Sequence, residues 1–310
     1  MTSQHINSFL SSSHHAVYHR FRQRLWGQLG FGLGSSAVGP LLTSPDFGYE
    51  AVFFVHLLLA LPTLLMMHRF LPDPTRPHTR ARSTAPVAGL RARPEAQLSI
   101  GEGLKLVASN RHAVIFFSLI FVLGVSSGVI ENFAYVRLRE VGASGSVLGS
   151  LRFISSVAGL PMFFFAGAIS KRLTVIGVLL LSLLAYVARF VIYANLKSAW
   201  WGLPAELLRG STFAAMWAAA TSYTHSISPP GLTATMLGIL NGMYGGLGQS
   251  IGSLLGGGLQ AKLGTSQTFL ICAAVDVGLL ALFVTIWLRM VATDRHRRDR
   301  ARRISLAAAE

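Results

Sequence analysis

The chain is poor in cysteine, in acidic residues and in charge of either sign. Cys272 is the single cysteine among 310 residues, which excludes an intramolecular disulfide and a metal cluster held by cysteines. Charged residues make up 13% of the chain, where a soluble domain has about 25%. Hydrophobic residues make up 52%. This balance predicts an integral membrane protein rather than a soluble domain.

Basic residues outnumber acidic ones by 27 to 12, and this surplus bears on possible partners. A net charge of +15 is compatible with nucleic-acid binding. The lysines and arginines, however, lie mostly in the gaps between apolar runs, a distribution typical of the cytoplasmic loops of membrane proteins. We therefore expect a lipid bilayer, and no nucleic acid, beside these charges.

Eight apolar runs predict helices that cross a bilayer, which takes about 20 residues at ~1.5 Å each. None alternates in the manner of a barrel strand. The sequence therefore predicts an all-α polytopic membrane protein with eight transmembrane helices. The predicted spans are Leu25–Leu42, Tyr49–Met67, Ala113–Ala134, Gly145–Ile169, Leu173–Ala194, Trp200–His225, Leu232–Leu259 and Gln267–Met290.

The connecting segments predict the orientation. With the N-terminus in the cytoplasm, 20 of the 27 lysines and arginines fall in cytoplasmic segments and four in external ones. This asymmetry predicts that both termini are cytoplasmic, and we expect the plasma membrane. The basic tail binds anionic lipid or serves only as a topology anchor. The predicted divisions are a cytoplasmic segment 1–24, two helices in 25–67, a cytoplasmic linker 68–112, a six-helix bundle 113–290 and the tail 291–310.

Six charged residues fall inside the predicted spans, and a charge there costs at least ~2.5–3.5 kcal/mol on insertion scales. By the helical rise, all six lie in the outer half of the membrane, about 5–14 Å from its surface. Paired ions are tolerated there and unpaired ones are not. We expect a neutral cluster, or at least two ion pairs, beside a water-filled cavity, although any single residue could serve packing alone. The six are Glu131, Arg152, Arg189, Glu206, Arg209 and Asp276.

Glu206 and Arg209 are the leading candidates for a substrate or ion site. They are three residues apart, so both lie on one face of the sixth helix. The alternative is an ion pair that serves packing only. Asp276 has no partner within its own helix. It suits either a proton-carrying site or a neutral buried acid.

Uncharged candidates for a cavity wall lie on the sixth and seventh spans. Trp217 follows Arg209 at helical spacing, and Asn241 and Tyr244 lie in a run rich in glycine. Aromatic residues in helix bundles also serve packing. Two series of glycines at spacing four predict close helix packing. They are Gly238, Gly242 and Gly246, and then Gly248, Gly252 and Gly256.

No pattern in the chain predicts catalysis, a metal site or a cofactor. His14, His15 and His19 lack acidic or cysteine partners near them. The run Gly248–Gly252 matches the G-x-S-x-G hydrolase pattern, but that pattern needs a strand before it and a helix after it. Here it lies inside one apolar helix. We expect no enzyme.

Several blocks resemble the lactose-permease-like group of major facilitator transporters. The block Arg24–Gly27, followed by Gly30 and Gly32, resembles the start of the fifth helix in that group. Glu131–Phe133 with Leu138–Glu140, and the block from Ala188 to Ala219, are similar to the family called major facilitator superfamily domain-containing protein 6. The similarity runs from about Arg20 to Leu288.

The resemblance implies a fold of twelve helices in two halves, with this chain supplying helices five to twelve. The seventh and tenth helices of such a fold line the cavity, and they correspond to Ala113–Ala134 and Trp200–His225. The chain is then expected to be a partial one, with half of the site supplied by a longer product or by a partner chain.

Two functions remain open on the sequence alone. The first is transport of a small solute by alternating access, as a symporter if a carboxylate carries a proton. Glu206, Arg209, Glu131, Trp217, Asn241 and Tyr244 would form the site, with Arg24 near the cytoplasmic mouth. The second is a truncated, non-transporting isoform that acts as a membrane receptor or an assembly partner.

Overall fold

A computed structural model of the chain describes residues 26–40, 50–70, 101, 107–229 and 232–307. Within them, the backbone alone is described at 51–52, 163–172 and 294–307. These ranges are helical apart from short connections, and they contain no strand. The helices are α1 (26–40), α2 (Glu50–Phe70), α3 (Arg111–Glu140), α4 (Gly145–Arg172), α5 (Val175–Ala194), α6 (Leu203–Ile227), α7 (Thr233–Asn241, a π-helical stretch Gly242–Gly248, and Gln249–Leu263) and α8 (Thr265–Ala307).

The predicted all-helical architecture is confirmed. Four helices in the described ranges are both long enough and apolar enough to cross a membrane. The other four do not meet both requirements within the described residues, so the predicted total of eight crossings stays a prediction. The four apolar stretches are Phe53–Phe70, Arg111–Glu140, Val175–Ala194 and Thr265–Thr293.

Local signals account for several helix ends. The Asn110 side chain caps α3 by accepting a hydrogen bond from the amide of His112 at 2.9 Å, and Thr174 caps α5 in the same way through Gly177 at 3.2 Å. Such caps satisfy amides that have no partner within the helix. Gly142 and Gly264 have φ values of 88° and 79°, which glycine adopts without steric cost.

Two helices end more than four residues beyond their predicted spans. The helix α3 continues past Ala134 to Glu140, because the residues added there remain good helix formers. The helix α8 continues past Met290 to Ala307, through much of the segment predicted as a separate tail. Charged residues in that stretch end the apolar run without ending the helix.

The apolar faces of α3 to α8 form one core. α3 packs on α7, α4 packs on α6, and α5 packs on both α6 and α8. Burial of large apolar side chains is the main driving force where water is present, and close packing takes that role in lipid. Fully buried side chains of this core include Phe116, Leu119, Ile120, Leu123, Phe190, Tyr193 and Phe269.

Glycines bring the backbones of α3 and α7 together. A β-carbon at Gly252 would clash with the carbonyl oxygen of Val125, and one at Gly128 would clash with that of Gln249. The second predicted glycine series therefore packs closely against α3. The first series does not, because a β-carbon at Gly238, Gly242 or Gly246 would have no neighbour within 4 Å. A similar contact joins α6 to α4, where a β-carbon at Gly210 would clash with the carbonyl oxygen of Ser155.

The helix α2 contributes little to this core. None of the stretch Phe53–Phe70 is buried, and its leucine, phenylalanine and methionine side chains are exposed. Its surface is therefore as apolar as a lipid-facing helix requires.

Candidate functional site

Four helices each contribute one charged side chain to a single cluster. Glu131 of α3 receives hydrogen bonds from Arg209 Nε of α6 at 2.7 Å, Arg152 Nη1 of α4 at 3.1 Å and Arg189 Nη2 of α5 at 3.3 Å. Arg152 binds Oε2, and the other two arginines bind Oε1. We call these four residues the Glu131 cluster.

The Glu131 cluster is withdrawn from solvent and carries an excess of positive charge. The Arg189 side chain is 3% exposed, and the other three side chains are 16–23% exposed. Three guanidinium groups face one carboxylate, which leaves a formal charge of +2. Charge-assisted hydrogen bonds of this kind are about twice as strong as neutral ones. They also reduce the cost of holding these ions in a low dielectric.

Glu206 lies outside this cluster. Its carboxylate accepts a hydrogen bond from the Tyr193 hydroxyl of α5 at 2.7 Å, and the residue is 1% exposed. Among the described residues, its second oxygen, Oε2, has no hydrogen-bond partner. The structure therefore does not form the Glu206–Arg209 pair considered as an alternative. Arg209 extends instead toward Glu131 and donates to Ser155 Oγ at 3.2 Å.

A cavity of about 430 Å³ lies between α1 and α6 and is bordered by one member of the cluster. Its volume falls within the ~300–1,000 Å³ typical of small-molecule sites. Arg209 supplies the charged part of its lining, and aromatic rings supply much of the rest. The lining residues are Gly27, Gln28, Phe31, Arg209, Gly210, Phe213 and Trp217.

The aromatic residues beside this cavity form a connected group. The ring centroids of Trp217 and Tyr244 are 5.4 Å apart, and those of Phe213 and Trp217 are 6.0 Å apart. The hydroxyls of Tyr244 and Tyr186 are 3.2 Å apart. On the cluster side, the Arg152 guanidinium lies 4.8 Å from the ring centroid of Phe31. The site thus pairs cationic groups with flat apolar surfaces.

The predicted candidates separate into three groups. Trp217 lines the cavity, and Tyr244 contacts the Trp217 ring without lining the cavity itself. Asn241 is exposed and bonds to the carbonyl of Leu237 in its own helix, so the structure does not bring it to the cavity. Arg24 lies outside the described residues.

Asp276 was expected to share the charge cluster, and the structure places it elsewhere. Its carboxylate oxygens lie 3.0 and 2.9 Å from the Ser126 hydroxyl of α3. Asp276, Ser126 and Cys272 border a second cavity of about 400 Å³ whose other walls are apolar. The helical rise predicted how deep each of the six charges lies in the membrane. It did not predict which face of α8 carries Asp276.

Four residues that bond to the predicted candidates or their neighbours were absent from the sequence predictions: Tyr193, Ser155 and Tyr186 at the site, and Ser126 beside Asp276. Each is a polar side chain within an apolar run, and such side chains commonly bond to their own helix. Tyr193 lies 13 residues before Glu206, across the short connection between α5 and α6. That connection is the one signal that could have indicated the contact. In the described ranges, no group of three or more His, Cys, Asp or Glu residues could hold a metal ion.

A family model described as the MFS_1 like family matches residues 10–271. The chain belongs to the MFS_1-like family of major facilitator transporters. One relative of this family member is the major facilitator superfamily domain-containing protein 6-like of Danio rerio, 24% identical over 252 residues. That alignment covers 79% of this chain and 43% of the relative. The chain thus spans less than half the length of that curated relative.

Two further comparisons concern transporters whose names state a solute. Maltose permease of Geobacillus stearothermophilus is 25% identical over 264 residues, covering 84% of this MFS_1-like chain and 61% of the permease. A crystal structure of the nucleoside transporter NupG matches with a TM-score of 0.62 and 19% identity, covering 84% of this chain and 66% of that one. The structural match establishes the major facilitator fold.

Proposed function

We propose that the protein transports a small solute across a membrane by alternating access. The observation that carries the proposal is the Glu131 cluster beside the cavity between α1 and α6. Charged residues inside membrane helices mark substrate or ion pathways because they are costly to keep there. The names of two relatives, a permease and a nucleoside transporter, support transport of a small molecule.

The site in this proposal consists of the cluster, the aromatic wall and Glu206. Arg209 contacts the solute, Trp217 and Tyr244 form the wall, and Arg24 stands at the cytoplasmic mouth. Arg189, the most buried arginine, holds Glu131 in place. Asn241 contributes only if the helices move relative to one another.

The proposed topology has eight crossings, equivalent to helices five to twelve of a major facilitator fold, with both termini in the cytoplasm of a plasma-membrane protein. Transport in this scheme requires further helices, from a longer product of the same gene or from a partner chain. The support is that the chain spans 43% of its Danio rerio relative, together with the exposed apolar surface of α2.

We assign proton coupling, and hence symport, to Glu206. It is buried, it pairs with no arginine, and one of its oxygens has no hydrogen-bond partner in the described part of the chain. A proton on the Glu206 carboxyl would therefore break no ion pair. Glu131 is unsuited to this role because three guanidinium groups stabilise its ionised form.

The substitution Glu206→Gln tests this assignment. Gln keeps the shape and can accept the Tyr193 hydrogen bond, but it cannot carry a proton. Uptake of radiolabelled maltose, uridine and phenylacetate would be measured in cells that express the protein at its native length. For whichever probe enters, we expect uptake to fall roughly ten-fold, as for loss of one charge-assisted interaction, with surface expression unchanged.

The matched control is Asp276→Asn, which alters the other buried acid, away from the cavity. We expect uptake within about two-fold of the parent, because asparagine can still accept the hydrogen bond that Ser126 donates to Asp276. Equal losses from both substitutions would contradict a specific role for Glu206. Unchanged uptake by Glu206→Gln would show that the site is wrongly assigned.

A second candidate function is a non-transporting receptor or assembly partner, favoured by the limited share of its relatives that the chain spans. An antibody to Arg295–Glu310 would measure the mass of the native product. A product longer by about four helices favours transport. A product of 310 residues favours the second function.

A further inference from the structure

We infer that the solute is an organic acid with a flat apolar body, and that its carboxylate binds Arg209. This inference deepens the proposed function and rests on it.

The charges around the cavity do not balance. The Glu131 cluster contains three guanidinium groups and one carboxylate. Glu206, one helical turn before Arg209, adds no negative charge while it holds the coupling proton, so the excess stays at +2. Uncompensated charge is unfavourable in a low dielectric. A carboxylate from the solute would reduce this excess, whereas a neutral solute would leave it unchanged and a cation would increase it.

Arg209 has hydrogen-bond donors beyond those that it uses within the cluster. It donates from Nε to Glu131 and from Nη1 to Ser155. These account for two of the five N–H groups of a guanidinium. The Nη1 and Nη2 groups at the end of the side chain form a planar fork that matches the two oxygens of a carboxylate. Arg209 is also the arginine that lines the cavity.

The remaining wall matches a flat apolar body. Phe31, Phe213 and Trp217 line the same cavity as Arg209. The planes of Phe213 and Trp217 differ by 13°, so the two rings present nearly parallel surfaces. Aromatic rings favour stacked or edge contacts with other rings. A ring attached to a carboxylate by a short linker could contact the arginine and this wall together.

Four small probes separate these requirements. Phenylacetate has both the charge and the ring, phenylacetamide is its neutral isostere, phenethylamine reverses the charge, and acetate lacks the ring. Each probe would be added to the purified protein, at its native length, in detergent. The shift in the melting temperature of the protein would be followed against probe concentration. A ligand that binds the folded state alone raises that temperature in proportion to occupancy.

We expect phenylacetate to bind at least ten-fold more tightly than phenylacetamide and acetate, and phenethylamine to give no shift. Arg209→Gln should weaken phenylacetate at least ten-fold. Phe213→Leu should weaken phenylacetate several-fold and leave acetate unchanged. Arg137→Gln is the matched control, because Arg137 pairs with Glu140 outside the cluster, and it should bind phenylacetate like the parent.

The outcomes are distinct. Equal binding of phenylacetamide and phenylacetate, or no binding of any probe, overturns the inference. If Arg209→Gln does not fold, the probe series on the parent chain and Phe213→Leu still decide it. Binding of phenylacetate without uptake in cells leaves the anion site standing and contradicts transport. Uptake of maltose or uridine with no binding of phenylacetate supports transport and contradicts the anion site.

Discussion

At the scale of single residues, Glu131 is the residue on which the charge cluster depends. One carboxylate accepts hydrogen bonds from three arginines on three other helices. Its loss would leave three guanidinium groups close together with no shared anion. Removing one partner of a buried ion pair is costly because the other charge stays desolvated. Glu131 therefore links α3 to α4, α5 and α6 at once.

We predict that Glu131→Gln destabilises the protein by about 3 kcal/mol, the lower end of the range for a broken buried pair. The lower end applies because the Glu131 side chain is 23% exposed. The melting temperature in detergent should fall by roughly 5–10 °C.

The control for this prediction is Glu140→Gln, at the end of the same helix. Glu140 pairs with Arg137 at 3.0 Å and is 38% exposed, and surface pairs contribute about 0–1 kcal/mol. Its melting temperature should stay within about 2 °C of the parent. If Glu131→Gln and Glu140→Gln have the same melting temperature, the Glu131 cluster does not stabilise the fold.

The sequence indicated which charges lie in the membrane but not how they pair. Glu131 is separated from Arg152, Arg189 and Arg209 by 21, 58 and 78 residues. Pairing over such distances depends on the rotation of each helix about its axis. The spacing within α6 suggested a Glu206–Arg209 contact, and tertiary packing assigned each residue a different partner.

At the scale of elements, α3 and α7 are joined along a line of glycines. Gly124 and Gly128 of α3 lie against Tyr244, Gly248 and Gln249 of α7. Side chains add hydrogen bonds across the same contact, including Asn132 to Ser253 at 2.6 Å. In lipid, such backbone approach takes the place of hydrophobic burial as a source of stability.

We predict that Gly252→Ala lowers stability by about 1–3 kcal/mol, as overpacking does. The added methyl would clash with the carbonyl oxygen of Val125, and a backbone atom cannot move aside as the end of a side chain can. Thermal unfolding in detergent measures the loss.

Gly258→Ala is the matched control on the same helix. A β-carbon there would have no neighbour within 4 Å, and alanine is the better helix former by about 0.5–1 kcal/mol. We expect an unchanged or slightly higher melting temperature. A loss at Gly258 as large as that at Gly252 would mean that the close contact with Val125 does not explain the effect.

Helix positions were largely predictable, since long apolar runs and turn glycines are local signals. The span predicted as Leu173–Ala194 is close to α5 at Val175–Ala194. The π-helical stretch Gly242–Gly248 was not predicted. A π-helix forms where each amide bonds to the carbonyl five residues before it instead of four. The glycine content of a segment does not determine which of the two patterns forms.

At the scale of the whole molecule, the family and the helical class followed from the sequence, and the number of crossings is still to be measured. Four described helices meet the requirements of length and apolarity. Charge alone does not separate them from the rest, because α3 and α5 each carry a member of the Glu131 cluster and still meet both requirements.

We predict that Ser144 and Ser198 face the outside of the cell and that Leu173 faces the cytoplasm. Cysteines at these positions, introduced one at a time into a Cys272→Ser background, would be labelled with a membrane-impermeant maleimide. We expect Ser144→Cys and Ser198→Cys to react on intact cells, and Leu173→Cys only after permeabilisation. External labelling of Leu173→Cys would reverse the orientation or change the number of crossings.

The length of α8 has a mechanical consequence. Its 43 residues span about 65 Å at ~1.5 Å per residue, against about 45 Å for a bilayer with its headgroups. A crossing by α8, as proposed, would therefore leave roughly 20 Å of continuous helix beyond the bilayer. Any tilt of the helices α3 to α8 would be magnified at the far end of this extension, so a fluorophore placed near Ala307 would report rocking motions too small to follow at the cavity itself.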